Sequence, residues 1–177
     1  MGSDPRASPR RLVTGPALAS LVVRHADAGD IGRVLEIEQA SFVDPWTDEA
    51  FRTSLTLPHL RFLVVGPDAG ATAPAAGGDA VVGYVLAMVV GPEGEIADIA
   101  VAPEARGRGV GGLLLDRATD LLIEGGVRTI YLEVRESNEA ARRLYEGRSF
   151  AMIGRRRSYY RQPVEDALVL RREIAPA

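Results

Sequence analysis

Apolar residues first gather at Leu21-Val22-Val23, which reads as a short strand. From Ile31 they recur at spacings of three and four through Val34, Leu35 and Ile37, with Glu38 in the same run, so this segment is a helix with one buried face. Asp27 is the expected cap, with Asp30 in the first turn. Thr47, followed by Asp48 and Glu49, predicts the start of a second helix. Phe62 to Val65 reads as a strand. Gly66 to Ala80 is Gly, Ala and Pro punctuation, expected as a hairpin loop. Val81 to Val90 is a nearly continuous apolar strand, Pro92 to Gly94 a turn and Glu95 to Val101 another strand. Gly109 to Glu124 is a helix stopped by Gly125-Gly126. Thr129 to Val134 then reads as a strand and Asn138 to Glu146 as a helix. Phe150 to Tyr160 with Ala167 to Arg172 form a closing hairpin. The sum is a single α/β domain over residues 21–177, with a mixed central sheet and helices on both faces. Residues 1–20 lack periodicity and are expected to be a disordered tail.

Composition removes several chemistries. The 177 residues contain no Cys, which excludes disulfides and thiol nucleophiles, and only 2 His, so no metal site is expected. Net charge is −3, giving no global field for nucleic acid. No apolar run is long enough to cross a membrane. A soluble cytoplasmic protein without nucleic-acid or membrane partners, monomeric or weakly dimeric, is the expectation.

Chemistry concentrates in Arg106-Gly107-Arg108-Gly109-Val110-Gly111-Gly112. This run follows a strand and opens a helix. Glycines let backbone approach a ligand, and first-turn amides present the positive end of the helix dipole, a combination suited to pyrophosphate. Arg106 and Arg108 can add charge-assisted bonds. A Walker loop needs a Lys, and all 21 basic residues are Arg. A dinucleotide fingerprint belongs to a first parallel strand-turn-helix, whereas this run follows an antiparallel hairpin. A glycine-rich turn with solvated arginines is the alternative. Within the run, Gly109 and Gly111 are expected to be least replaceable.

Ile99-Ala100-Val101-Ala102-Pro103-Glu104, followed by Arg106-x-x-Gly109-x-Gly111 and a Leu-rich helix, resembles the coenzyme A motif of the GNAT acetyltransferases. The resemblance implies that amides of Gly107 to Gly112 hold the pyrophosphate of acetyl-CoA. It also implies that Ile99, Ala100 and Val101 pair with the pantetheine arm and polarise the thioester oxygen. Tyr131-Leu132-Glu133-Val134-Arg135-Glu136-Ser137-Asn138, Leu144-Tyr145-Glu146, Asp44-Pro45-Trp46-Thr47 and Arg156-Arg157-Ser158-Tyr159-Tyr160 resemble the RimI branch. That branch acetylates the N-terminal alanine of small-subunit ribosomal protein eighteen. The likeness spans roughly residues 21 to 173.

An α-ammonium, with a pKa of about 8, must lose a proton before it attacks. Glu133, on a strand running toward the loop, is the candidate base, and Tyr145 the candidate acid for the departing thiolate. The alternatives are an edge-strand carboxylate paired with an Arg and a core aromatic. Asn138 is expected as a helix cap, with coenzyme contact implied by the resemblance. Phe42, Trp46 and Tyr159 are candidate substrate contacts; Glu38, Asp44, Glu136 and Glu139 are candidates for an acidic lip. Arg155 to Arg157 beside two tyrosines reads as a solvated strand face. The family pattern has Gly where Ser149 stands, so a left-handed residue needed there would strain Ser149 or shift the turn toward Gly147. The expected partner is a protein N-terminus, that of a ribosomal protein. Acetylation of a small amine, or coenzyme binding without turnover, are the competing functions.

Overall fold

The structure, a computed structural model, describes residues 18–67 and 81–175. The expected tail and the 66–80 loop therefore lie largely outside the described residues. Within the tail's expected span, Leu18–Ser20 form a 3₁₀ turn leading into the sheet.

Seven strands form one sheet. They are β1 (Leu21–His25), β2 (Leu60–Pro67), β3 (Gly83–Val90), β4 (Glu93–Val101), β5 (Thr129–Arg135), β6 (Ala151–Arg161) and β7 (Val164–Glu173), in the order β1-β2-β3-β4-β5-β7-β6. Only β4 and β5 run parallel. The helix that makes their crossover, α3 (Val110–Glu124), follows the glycine run. The other helices are α1 (Ile31–Ser41), α2 (Asp48–Ser54) and α4 (Glu139–Glu146).

Neighbouring residues in β3 show that helices cover both faces. A Cβ at Gly83 would meet Leu114 of α3. The next residue, Tyr84, points oppositely and stacks edge-on against Phe51 of α2. Ile31, Val34 and Ile37 of α1 are at most 1% exposed; each such burial contributes roughly 1.5–3 kcal/mol. Gly83 and Gly94 leave room for Leu114 and Leu122 of α3, so the longest helix lies close to the sheet.

Helix α1 begins later than the sequence suggests. Asp27 accepts the Gly29 N–H at 2.7 Å instead of capping, and Asp30 occupies the N-cap position without a side-chain cap bond. The Asp30 carboxylate is taken by Arg24 of β1 through two 2.7 Å bonds, because a bidentate guanidinium satisfies a buried carboxylate better than one backbone amide. Thr47 does cap α2, accepting from the Ala50 N–H at 3.2 Å.

Candidate active site

The parallel pairing of β4 with β5 ends at Ile96 opposite Leu132. Beyond that point β4 stays paired with β3 alone, and the two central strands part. A cleft of about 760 Å³ opens there. Its walls include Ile99 of β4, Glu133 of β5, Asn138 and Tyr145 at and within α4, Phe42 and Trp46 before α2, and Tyr159 of β6. Seven residues singled out in sequence, drawn from five separate segments, thus meet in one place.

The glycine run lies beyond the end of β4. Gly107 and Gly109 have φ of +73° and +85°, in the left-handed region that favours glycine. Gly109 is the N-cap of α3 and supplies no side-chain cap, so the first-turn amides of Val110, Gly111 and Gly112 have no side-chain acceptor at the cap. These features fit a pyrophosphate. A Cβ at Gly111 would make ordinary contact within the chain, with Leu144 (3.4 Å) and Val101 (3.7 Å), so any need for glycine there comes from the ligand's approach. Conformation adds Gly107 to Gly109 as a position that favours glycine. Gly112 makes room for the guanidinium of Arg148, which is ion-paired to Asp116 at 2.6 Å. Arg106 braces the loop, donating to the Val101 carbonyl and to Ser41 Oγ, each at 2.9 Å. Arg108 is exposed.

Glu133 sits in an interior strand, and its carboxylate meets the Arg156 Nε at 2.8 Å. A hydrogen bond to Glu133, then burial, pushes the Tyr159 phenol above its ordinary pKa. Tyr145 is 5% exposed, and burial, followed by the charge of Asp98, raises its pKa well above the ordinary phenol value. It is a protonated donor at any physiological pH.

The turn behind Tyr145 answers the question raised by Ser149. Gly147 keeps a right-handed φ of −62°, and Ser149 itself takes φ +64°. The Phe150 N–H bonds the Tyr145 carbonyl at 3.1 Å, and the Ser149 N–H bonds that of Glu146 at 3.1 Å. This is a Schellman closure, with the accompanying contact between Phe150 and Tyr145 rings 6.0 Å apart. Asn138 caps the other end of α4, accepting from the Ala141 N–H at 3.1 Å.

Other acidic positions differ from expectation. Glu38 is 1% exposed and lies within the cleft wall, not on a lip. Its burial follows from its place on the apolar face of α1. Glu136 and Glu139 pair with Arg155 (2.6 Å) and Arg143 (3.1 Å). Arg155 also meets Asp166 at 3.2 Å, and Arg156 pairs with Glu133, so two of the three arginines in the basic run are ion-paired. Sequence reading missed Asp98, Tyr84, Arg135 and Tyr160. Arg135 stacks over the Tyr160 ring at 3.8 Å on the cleft's rim. Tyr84 of β3 donates to Glu38 and lies 2.9 Å from Asp98 Oδ2. The available signal was an Asp within an otherwise apolar stretch of strand.

A sheet parted at its one parallel pair, with a helix N-terminus beyond the parting and a carboxylate and a buried phenol along its walls, is the framework of a coenzyme A-dependent acyltransferase. The chain belongs to the acetyltransferase (GNAT) family, whose model matches residues 31–150; it is an acetyl-CoA-dependent N-acetyltransferase. It is 39% identical over 150 residues to the N-alpha-acetyltransferase RimI of Mycobacterium tuberculosis, covering 81% of this chain and 87% of the relative. It is 31% identical over 152 residues to the [ribosomal protein bS18]-alanine N-acetyltransferase of Haemophilus influenzae, covering 84% and 96%. The crystal structure of the ribosomal-protein-S18-alanine N-acetyltransferase from Escherichia coli superposes with a TM-score of 0.75 at 28% identity, covering 89% of this chain and 96% of that one. No helix among the described residues is long and apolar enough to cross a membrane.

Proposed function

We propose that this protein transfers the acetyl group of acetyl-CoA to the N-terminal alanine of ribosomal protein S18, by direct attack of the α-amine within a ternary complex. The observation that carries the reading is the meeting of Glu133 and Tyr145 in the cleft where β4 and β5 separate. The names of the relatives supply the substrate.

Amides of residues 107–112 hold the pyrophosphate, with Arg108 adding charge and Arg106 fixing the loop's shape. Ile99, Ala100 and Val101 lie on the length of β4 that has left β5, where backbone can pair with the pantetheine arm. Asn138 orients α4 at its cap and borders the arm. The bound thioester supplies the electrophilic carbonyl carbon. Glu133 accepts a proton from the nitrogen, directly or through water, while Tyr145 donates one to the sulfur. Phe42, Trp46 and Tyr159, each 37–46% exposed, flank the first residues of the peptide.

The test is incubation with acetyl-CoA and three acceptors: a peptide beginning with the S18 N-terminal sequence, the same peptide N-blocked but carrying a Lys, and small amines such as spermidine. Thiol release and a one-acetyl mass shift confined to the free-N-terminus peptide are expected. Preferential turnover of the small amines would replace this reading.

A further inference from the structure

Glu38, Tyr84 and Asp98 have no part in the roles above, yet Glu38 and Asp98 line the same cleft. The Tyr84 hydroxyl has one hydrogen. Its oxygen nevertheless bonds Glu38 Oε2 and lies 2.9 Å from Asp98 Oδ2. Ionised carboxylates only accept, so both contacts are hydrogen bonds only when one carboxyl carries a proton. The cluster is therefore shaped to hold one proton between two carboxyls. Glu38 is fixed further by the Trp46 N–H, 2.7 Å from Oε1. Asp98, less buried, is the member better placed to exchange with the cleft.

The proposed reaction has a proton to place there. An α-ammonium loses two protons over the transfer, one before its lone pair is free and one as the amide forms. The sulfur regains one, and one is released. We propose that the Glu38–Asp98 pair takes the first of these protons and Glu133 the second. In the first step an N–H bond of the ammonium breaks and an O–H bond forms on Asp98, giving the shared-proton state. The freed amine forms the C–N bond as the C–S bond breaks. Glu133 takes the second proton, Tyr145 gives its own to the sulfur, and Glu133 restores Tyr145. The pair's proton goes to solvent. This assignment rests on the acetyl-transfer reading of the cleft.

Electrostatics agree with the geometry. Burial, then the charge of Glu38, pushes Asp98 up to about 7, and burial raises Glu38 as well. An acceptor near 7 is closely matched to an amine near ~8. The groups facing Asp98 are Glu38 from α1, Tyr84 from β3 and Tyr145 from α4. Both phenols are raised, first by burial, and stay protonated.

The experiment is kcat against pH from 6 to 9.5, with the S18 peptide and acetyl-CoA saturating. Wild-type kcat should rise through about pH 7, where the pair empties. Asp98→Asn should lose roughly fivefold at pH 7 and about tenfold at pH 6, the cost of waiting for amine that ionises about one unit higher, and its limb should move to ~8. The deficit should vanish near pH 9. Glu38→Gln should also displace the limb, and Glu133→Gln should lower kcat at every pH while leaving it in place. Melting curves and coenzyme A titration calorimetry establish that each variant is folded. An Asp98→Asn profile parallel to wild type, or a limb removed by Glu133→Gln alone, overturns the proposal while leaving the acetyltransferase reading intact. A wild-type enzyme inactive on every N-terminal peptide overturns both.

Discussion

Replacing Ser149 by Gly should stabilise the protein. A left-handed residue with a Cβ costs roughly 1–2 kcal/mol, and Ser149 has φ +64°. Glycine removes that cost but loses ~0.5–1 kcal/mol of chain entropy on folding. Ser149 is exposed, so little packing is given up. The balance is a gain of about 0.5–1 kcal/mol, or ~1–4 °C in Tm for a chain of this size. Urea unfolding with an unchanged m-value, together with calorimetric melting, measures it. The activity prediction is equally definite. Phe150 and Tyr145 are locked by the Schellman bonds whichever residue occupies position 149, so kcat should change by less than about twofold. A variant of equal or lower stability would show that the backbone here is not strained. A stabilised variant with a large rise in kcat would show that serine displaces Tyr145.

Tyr145→Phe should lower kcat by roughly tenfold to a thousandfold with coenzyme A affinity unchanged, because the lost hydrogen bond belongs to the transition state; wild-type kcat would return the proton to water. Gly109→Ala should weaken coenzyme A binding by about tenfold, since φ +85° is costly for any residue with a Cβ. Gly111→Ala should stay within about threefold, because its Cβ meets only Leu144 and Val101; calorimetry that reversed this order would refute the reading of the loop. Asp30→Asn should cost ~1–2 kcal/mol, toward the lower range for a charged hydrogen bond because solvent screens the half-exposed Arg24. Burial raises the Asp30 pKa, but the bonds from Arg24 and the Asp27 amide outweigh it and leave the value lowered. Its contribution is thus complete above the ordinary aspartate value of about 3.9 and is lost as pH falls below that. Acid titration of wild type and variant should converge at the lowest pH.

What could be read from sequence was local. Thr47 and Asn138 cap helices within three residues of themselves, and the glycine run announces a helix N-terminus beside a strand, so spacing suffices for both. Glu133 and Tyr145 could be paired as candidates because they flank one strand-helix step, and both line the cleft. The need for glycine at Gly107 was not legible beside the expectation for Gly109 and Gly111, since only backbone angles separate Gly107 and Gly109 from Gly111. Glu38 was within reach: it falls on the same turn-spaced face as Ile31 and Val34, and a carboxylate on an apolar face is buried before it is a lip.

The side to which Asp98 turns was out of reach for a different reason. Strand alternation places residues two apart on one face, so Asp98 should share the side of Ile96. The register of β3 with β4 slips between Leu86 and Ala87: Ile96 stands opposite Ala87, but Asp98 stands opposite Leu86. Leu86 and Ala87 face opposite ways, and paired residues share a face. The extra residue, Ala97, has therefore turned Asp98 to the side of Leu86 and Tyr84, where α1 brings Glu38. One bulge decides whether this carboxylate faces the α3 layer or meets its partner at the cleft. Because the slip occurs where β4 leaves β5, the same stretch of strand opens the cleft and aims the acid into it.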